Sequence, residues 1–379
     1  MKLSYGMIGG GKGAFIGDVH RKAIAMDGGA ELAAGCFSTD YDNTLTTGKS
    51  LGLDEGRLYR TYEEMIASEA EKRDGIDFVV IATPNNTHYD MAEAALNAGI
   101  HVACDKPLTT DSSQAESLAR LSQEKNLIFG VTYTYTGYPI VKHIRDIIRQ
   151  RKLGTIRFIN AEYPQDWLAE PVERTGQKQA SWRSEPEKSG PSNCVGDIGS
   201  HIENMVSFMT GLELTRLCAR LDTFVSGRKL DDNAVILTEY GSGARGLYWS
   251  SQIAVGHDNG LRVRIYGSEA SVEWIQEYPD RGRISYMDKP AEILSRGRTE
   301  MSPAAEYFSR IPAGHPEGYF EAFANIYKSF TSALSKVKSG KKPDTMDWEF
   351  PQVEEGVRGV KFIEKCVESS QRGAVWVDF

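Results

Sequence analysis

Leu3-Ser4-Tyr5-Gly6-Met7-Ile8-Gly9-Gly10-Gly11-Lys12-Gly13-Ala14 is an apolar run that stops in a cluster of glycines. Residues 3–8 read as a short buried strand, and helical periodicity takes over near Asp18 and lasts to Met26. Strand, glycine turn and helix is the context that gives a dinucleotide fingerprint its meaning. Glycine lets the backbone turn sharply and approach a pyrophosphate, and a helix start offers unpaired N–H groups and the positive end of its dipole. Gly9-x-Gly11-x-x-Ala14 fits the spacing, with Gly13 and Gly17 making the turn looser than usual. Gly9, Gly11, Lys12, Gly13, Ala14 and Phe15 are therefore expected at the phosphates.

Outward from that turn, strands are expected at 31–37, 77–82, 100–104 and 127–132. Helices are expected at 61–68, led by Thr61 and Glu64 as a capping box, at 87–98 and at 111–125, with Asp111 as a cap. This alternation predicts a doubly wound parallel sheet, and such sheets bind ligands at the carboxyl ends of their strands. The residues there are Ser38 and Asp40, then Thr83-Pro84-Asn85 and His88, then Asp105-Lys106-Pro107, then Tyr135. Asp40 suits an adenosine ribose, and no arginine or lysine adjoins it to grip a 2′-phosphate. NAD is the expected cofactor, with NADP as the alternative.

From 156 the pattern changes. Segments at 157–163, 215–221, 234–240, 246–253, 261–266 and 270–274 alternate in polarity with short turns, which predicts a large, mostly antiparallel open sheet. The expected fold class is α/β: an N-terminal Rossmann domain over 1–132 and a C-terminal α+β domain over 133–379. Helices at 320–336 and 353–369 are expected to pack back on the first domain. The basic helix at 140–151 reads as a solvated face over an apolar stripe, and the run Arg228 to Asn233 as a charged turn. The long loop between Asp166 and Asn193 holds Trp167, Trp182 and Arg183, an aromatic and polar set that suits a sugar ring as well as core packing. A helix is expected at 197–210, closed by Gly211. Asp197 and His201 are four apart and share a face; spacing alone favours a helix-surface ion pair.

Gly9-Gly10-Gly11, Thr83-Pro84-Asn85, Asp105-Lys106-Pro107 and Gly196-Asp197-Ile198-Gly199-Ser200-His201 together resemble the Gfo/Idh/MocA oxidoreductases, which include glucose–fructose oxidoreductase and the inositol dehydrogenases. The family's Glu-Lys-Pro stands here as Asp105-Lys106-Pro107. The resemblance implies catalysis rather than an ion pair. It makes His201 the base for a hydroxyl proton, Lys106 the group that polarises the same oxygen and Asp197 the substrate orienter. The implied activity is hydride transfer between a nicotinamide cofactor and a secondary hydroxyl of a cyclic polyol or sugar, an inositol first and C3 of a glucoside next. A redox-assisted glycoside lyase or hydrolase with tightly bound NAD is the alternative. Tyr135, Tyr138, Trp167 and Arg183 are expected at the substrate, and Trp182 and Arg183 also at the cofactor. The implied assembly is a homodimer or homotetramer.

Bulk composition agrees. The 379 residues are 40% hydrophobic and 25% charged, values of a globular protein of two domains. A net charge of −8 argues against a nucleic-acid partner. No run of about 18 apolar residues occurs, and five scattered cysteines fit reduced thiols in a cytoplasm. Seven histidines without ligand spacing predict no metal.

Overall fold

The computed structural model describes residues 2–298 and 300–379. The chain forms two compact units: the chain to Gly137 with Tyr319–Val357, and Tyr138–Gly318 with Arg358–Phe379.

In the first unit β1 (Leu3–Gly9) leads through the glycine turn to α1 (Phe15–Met26), then β2 (Ala30–Cys36), α2 (Tyr41–Ser50), α3 (Tyr62–Glu71) and β3 (Phe78–Ala82). It continues with α4 (His88–Asn97), β4 (His101–Cys104), α5 (Ser112–Glu124) and β5 (Phe129–Val131). The sheet is parallel in the order β2-β1-β3-β4-β5. The order reverses between β1 and β3, and that switch point is where such sheets open a crevice for ligands. Caps fix the helix starts: Thr61 Oγ1 accepts from Glu64 N–H at 3.2 Å and Asp111 Oδ1 from Ser113 N–H at 2.8 Å. Glu64 reaches back one residue further than a capping box requires, to Arg60 N–H at 3.2 Å. The α2 helix was not foreseen, because Asn43, Thr44, Thr46, Thr47 and Gly48 are poor helix formers; the Asp40 cap and tertiary bonds hold it. The helix Tyr319–Lys338 supplies the core from far along the chain. Phe78 stacks on Tyr5 with centroids 5.3 Å apart and meets Phe330 edge-on at 5.1 Å. Truncating a ring buried this way costs about 3–5 kcal/mol.

The second unit carries β6 (Ile156–Pro164), β7 (Leu214–Asp222), β8 (Asn233–Tyr240), β9 (Arg245–Ser251), β10 (Arg262–Gly267), β11 (Ala270–Ile275), β12 (Arg281–Tyr286), β13 (Glu292–Ser295) and β14 (Val377–Asp378). They form one sheet of nine strands, ordered β13-β12-β11-β10-β6-β9-β8-β7-β14, antiparallel except where β6 meets β9. Register sets the faces. Val235 lies across from Trp249, Leu237 from Leu247 and Phe158 from Tyr266, all on one half-exposed face, while Ile236, Tyr248, Ile159 and Ile265 are buried on the other.

One expectation for this unit is corrected and a second sharpened. Most of the basic residues of the helix Pro139–Arg149 are not solvated: Lys142, His143 and Arg145 are buried, with Lys142 Nζ over the Phe308 ring at 4.5 Å and Arg145 over Phe208 at 4.8 Å, and Arg149 at its end is exposed. The run Arg228 to Asn233 is the charged turn expected, but its acids are not solvated. Asp231 and Asp232 are buried, and Arg228 bridges Glu173 at 3.1 Å and Asp232 at 3.3 Å. All five cysteines are free thiols, and no helix among the described residues is long and apolar enough to cross a membrane.

Candidate active site

The glycine turn at the end of β1 is built for close approach. Gly9 has φ +83°, and a Cβ there would lie 2.3 Å from Ala82 O at the end of β3. A Cβ on Gly17 would lie 2.3 Å from the Gly10 Cα, so α1 packs backbone against backbone on the turn. Gly13 has φ +88° with nothing within 4 Å of a Cβ. The turn is stitched to α2: Lys12 N–H donates to Asn43 Oδ1 and Thr47 Oγ1, each at 3.0 Å, and Gly11 N–H to Phe37 O at 3.1 Å. The N-cap of α1 is Ala14, which makes no side-chain cap, and the first N–H groups of any helix lack partners within it. A rigid turn, an open glycine and an uncapped helix start fit a pyrophosphate, so these residues suit a dinucleotide. Phe15 stands exposed at the same helix start.

At the end of β2 the Ser38 hydroxyl accepts from Asp40 N–H at 3.1 Å, and Asp40 Oδ1 caps α2 through Asp42 N–H at 3.1 Å. Arg60, remote in sequence, stacks its guanidinium 4.0 Å from the centre of the Tyr41 ring. After β3, Thr83 and Thr87 share a hydroxyl bond of 2.8 Å, and Asn85 is the buried residue of a 3-10 turn that follows Pro84. The expected cofactor contact of His88 gives way to a bracing role. The ring is fully buried, with Nε2 2.9 Å from Thr83 O and Nδ1 3.0 Å from Pro107 O, and so links the segments that follow β3 and β4. Burial pushes its pKa down, against the pull of Asp105 and the carbonyls around it.

Asp105 also turns inward. Its Oδ1 lies 3.0 Å from His20 Nε2 and 2.6 Å from Thr132 Oγ1. Burial would raise this carboxyl's pKa, but His20, Thr132 and His88 together hold it below the usual carboxylate range. Lys106 follows directly, half-buried, with its peptide to Pro107 in the cis form. Tyr135 is buried in the turn after β5, its ring 6.4 Å from that of Tyr319.

In the second unit Asp197 lies in a π turn, Val195–Gly199, that feeds the helix Ser200–Thr210. Wide turns of this kind recur at functional sites; the sequence pattern shows only the helix that follows. Ser192 Oγ accepts from Val195 N–H at 3.1 Å, and Asp231 accepts from Asn193 N–H at 2.9 Å, Val195 N–H at 3.1 Å and Ser192 Oγ at 3.0 Å. Burial raises the pKa of Asp231 in spite of those donors. The Asp197 carboxylate is held on both oxygens: Gln252 Nε2 donates to Oδ2 at 3.0 Å, and Arg183 Nε lies 3.4 Å from Oδ1. Asn193 Nδ2 donates to Gln252 Oε1 at 2.8 Å, which fixes which end of the buried Gln252 amide faces the acid. The Arg183 guanidinium also lies 4.3 Å from the Trp182 ring centre. Asn193 is a residue that sequence reading misses. Gln252 follows a strand and on that ground could reach a cleft, but nothing local ties it to Asp197.

His201 is nearly buried, with the Tyr163 ring 6.2 Å from its own. Tyr163 Oη and Gln165 Nε2 both donate to Asn259 Oδ1, at 2.6 and 2.7 Å, and Asn259 Nδ2 donates to Gln276 Oε1 at 3.0 Å. Tyr138 ends this polar row: it accepts from Gln276 Nε2 at 3.3 Å and is buried beside Trp274. Trp167 is half-buried on the segment whose Leu168 N–H bonds to Gln252 O at 3.0 Å. The second unit thus joins Asp197 to Gln252 and Arg183, sets Trp182 against Arg183, and places His201 beside Tyr163.

Comparison with known proteins agrees with this architecture. Residues 3–133 match the model of an oxidoreductase family with an NAD-binding Rossmann fold, and residues 141–273 match the GFO/IDH/MocA C-terminal domain. The chain is 36% identical over 380 residues to the uncharacterised oxidoreductase YfiI of Bacillus subtilis (strain 168), covering all of this chain and 97% of that protein. An inositol dehydrogenase homologue from Azotobacter vinelandii, solved with NAD+, matches with a TM-score of 0.96 and 38% identity over 100% of this chain and 98% of that one. The homologue from the same source solved with NADH and myo-inositol matches with a TM-score of 0.93 and 37% identity, again over 100% and 98%. The chain belongs to the GFO/IDH/MocA family of oxidoreductases, and its first unit is that family's NAD-binding Rossmann domain.

Proposed function

We propose that the chain is an NAD-dependent dehydrogenase that oxidises a secondary hydroxyl of a cyclic polyol or sugar, with an inositol as the leading candidate. The observation that carries this reading is the carboxylate of Asp197, held on both oxygens by Gln252 and Arg183, one turn before His201. A fixed acid suits vicinal hydroxyls, which donate to it in pairs, and the Trp182 face suits the C–H side of a ring. The likeness to a homologue solved with NADH and myo-inositol supports the same substrate class.

In this reading the glycine turn, Asp40 and the segment after β3 hold NAD, which when bound supplies the electron acceptor. Asp197 orients the ring through two of its hydroxyls. His201 takes the proton of the reacting hydroxyl, a task for which an imidazole is suited near neutral pH. The Lys106 ammonium stabilises the negative charge that grows on the same oxygen. The chain acts as a homodimer or homotetramer, for which the half-exposed row Phe158, Val235, Leu237 and Tyr266 provides an apolar surface.

The test is direct: the purified protein, NAD or NADP, and a panel of inositols and glucosides, read by NADH absorbance. Turnover with at least one inositol is expected, and NAD is expected to outperform NADP. Silence across the panel would remove the reading. Release of an aglycone without net NADH would replace it with redox-assisted elimination. Lys106→Ala is expected to lower kcat by about 10²–10³ and His201→Ala by about 10²–10⁴.

A further inference from the structure

Behind Lys106 lies a buried chain of side chains that the proposed chemistry does not use. His20 is on α1 and fully buried; Tyr327 is on the helix Tyr319–Lys338 and nearly so. His20 Nδ1 lies 2.6 Å from Tyr327 Oη, and Nε2 lies 3.0 Å from Asp105 Oδ1. The Phe323 and Tyr327 rings meet the imidazole edge-on, with centroids 5.2 and 5.8 Å away, and leave it one orientation.

The donors fix the direction of the chain. Asp105 Oδ1 already accepts from Thr132 Oγ1 at 2.6 Å, and a carboxylate only accepts, so the proton sits on His20 Nε2. Nδ1 is then bare and accepts from Tyr327, whose phenol burial keeps protonated. With these roles every polar group of this buried chain has a partner, as full burial requires. The backbone beside Asp105 is clamped as well: Asp105 N–H donates to Ile81 O at 3.0 Å, Thr132 N–H to Cys104 O at 3.0 Å, and Pro107 O lies 3.0 Å from His88. Asp105 is thus fixed by main chain on one side and by His20 and Thr132 on the other, one residue before the lysine.

We propose that His20 is a positioning residue for Lys106. By holding Asp105 it fixes the backbone from which the lysine departs. Because it stands on α1, the helix that begins at the glycine turn, it ties the lysine to the element that receives the cofactor. The inference rests on the role given to Lys106 above.

The test compares His20→Leu, His20→Gln and Lys106→Ala in the full-length protein, with NAD and the best substrate of the panel. His20→Leu is expected to lower kcat about a hundredfold, as a small misplacement of a reacting group does, while the Kd for NAD, read by tryptophan fluorescence, stays within about threefold. His20→Gln keeps an N–H donor near the position of Nε2 and is expected to recover kcat to within about tenfold of the parent. Nitrogen NMR of histidine-labelled parent protein is expected to show one ring with a protonated Nε2 and a bare Nδ1, and that readout stands even if His20→Leu fails to fold. A bare Nε2 on His20, a His20→Leu variant with parental kcat, a loss confined to NAD affinity, or a loss that glutamine does not relieve would each overturn the assignment. Parental kcat in Lys106→Ala would instead overturn the reading of the lysine, and this inference with it.

Discussion

Lys106 follows a strand of four residues whose neighbours on both sides are set by parallel pairing. Asp197 sits in a π turn rather than at a strand end, held by Ser192, Asn193, Asp231 and Gln252. The two halves of the proposed site are therefore positioned by different physics. In the first unit the main chain does most of the work and side chains brace it. In the second, side chains from distant segments replace a main-chain framework. Loss of one buried polar acceptor should cost the second half the most folding stability, whereas backbone space should matter more in the first.

The largest expected effect follows from that contrast. Asp231→Ala removes the acceptor for two backbone N–H groups and one hydroxyl, all buried, and is expected to cost about 4 kcal/mol in chemical denaturation. A loss under about 1 kcal/mol would mean that water replaces the carboxylate and that the π turn does not depend on it.

Next is Gly9→Ala, the matching test of backbone space. A Cβ 2.3 Å from Ala82 O at φ +83° is expected to cost about 3 kcal/mol and to weaken NAD binding. Parental affinity for NAD in a folded Gly9→Ala protein would show that the turn tolerates bulk and that the fit to a pyrophosphate is not set there.

Acid acts with opposite sign on two buried groups, one in each unit. Burial lowers the pKa of His101, at the start of β4, to about 4, against Asp77 and with Lys338. The unfolded chain then binds its proton first as pH falls below the ordinary imidazole value, so about 2 kcal/mol of stability is lost between pH 8 and pH 5. The raised carboxyl of Asp231 acts in the opposite sense: the folded state takes its proton first, so acid relieves it. Amide exchange at the two pH values is expected to show protection falling at β4 more than at 192–196. Equal losses would contradict the assignment of burial as the cause. The smallest effect is that of Gln252→Leu, expected to lower kcat about tenfold by freeing Asp197. A change only in KM would mean that Asp197 binds without orienting.

The same contrast explains what the sequence made legible. The parallel sheet, the glycine turn and Lys106 at a strand end follow from local periodicity and one topological rule, and all five strands of the first sheet were placed within a few residues. The helix α2 was missed because threonines and a glycine conceal it, and Asp40 and the turn hold it from outside. His20 was passed over because its partners Asp105 and Tyr327 lie in other elements. In the second unit Asp197 and His201 were visible only through a motif. Their supports Asn193, Asp231 and Gln252 are joined by contacts across 38 and 59 positions of sequence, which no local pattern reports. That Asp231 and Asp232 are buried in the charged turn is invisible for the same reason.

The central claim is that Lys106 and His201 act on one hydroxyl. A double-mutant cycle of Lys106→Ala and His201→Ala, read as NADH formation with saturating NAD, tests it most directly. The prediction is that Lys106→Ala loses about 10²–10³ in kcat, His201→Ala about 10²–10⁴, and the double variant little more than the worse single. Losses that multiply, or a single variant with parental kcat, would contradict it.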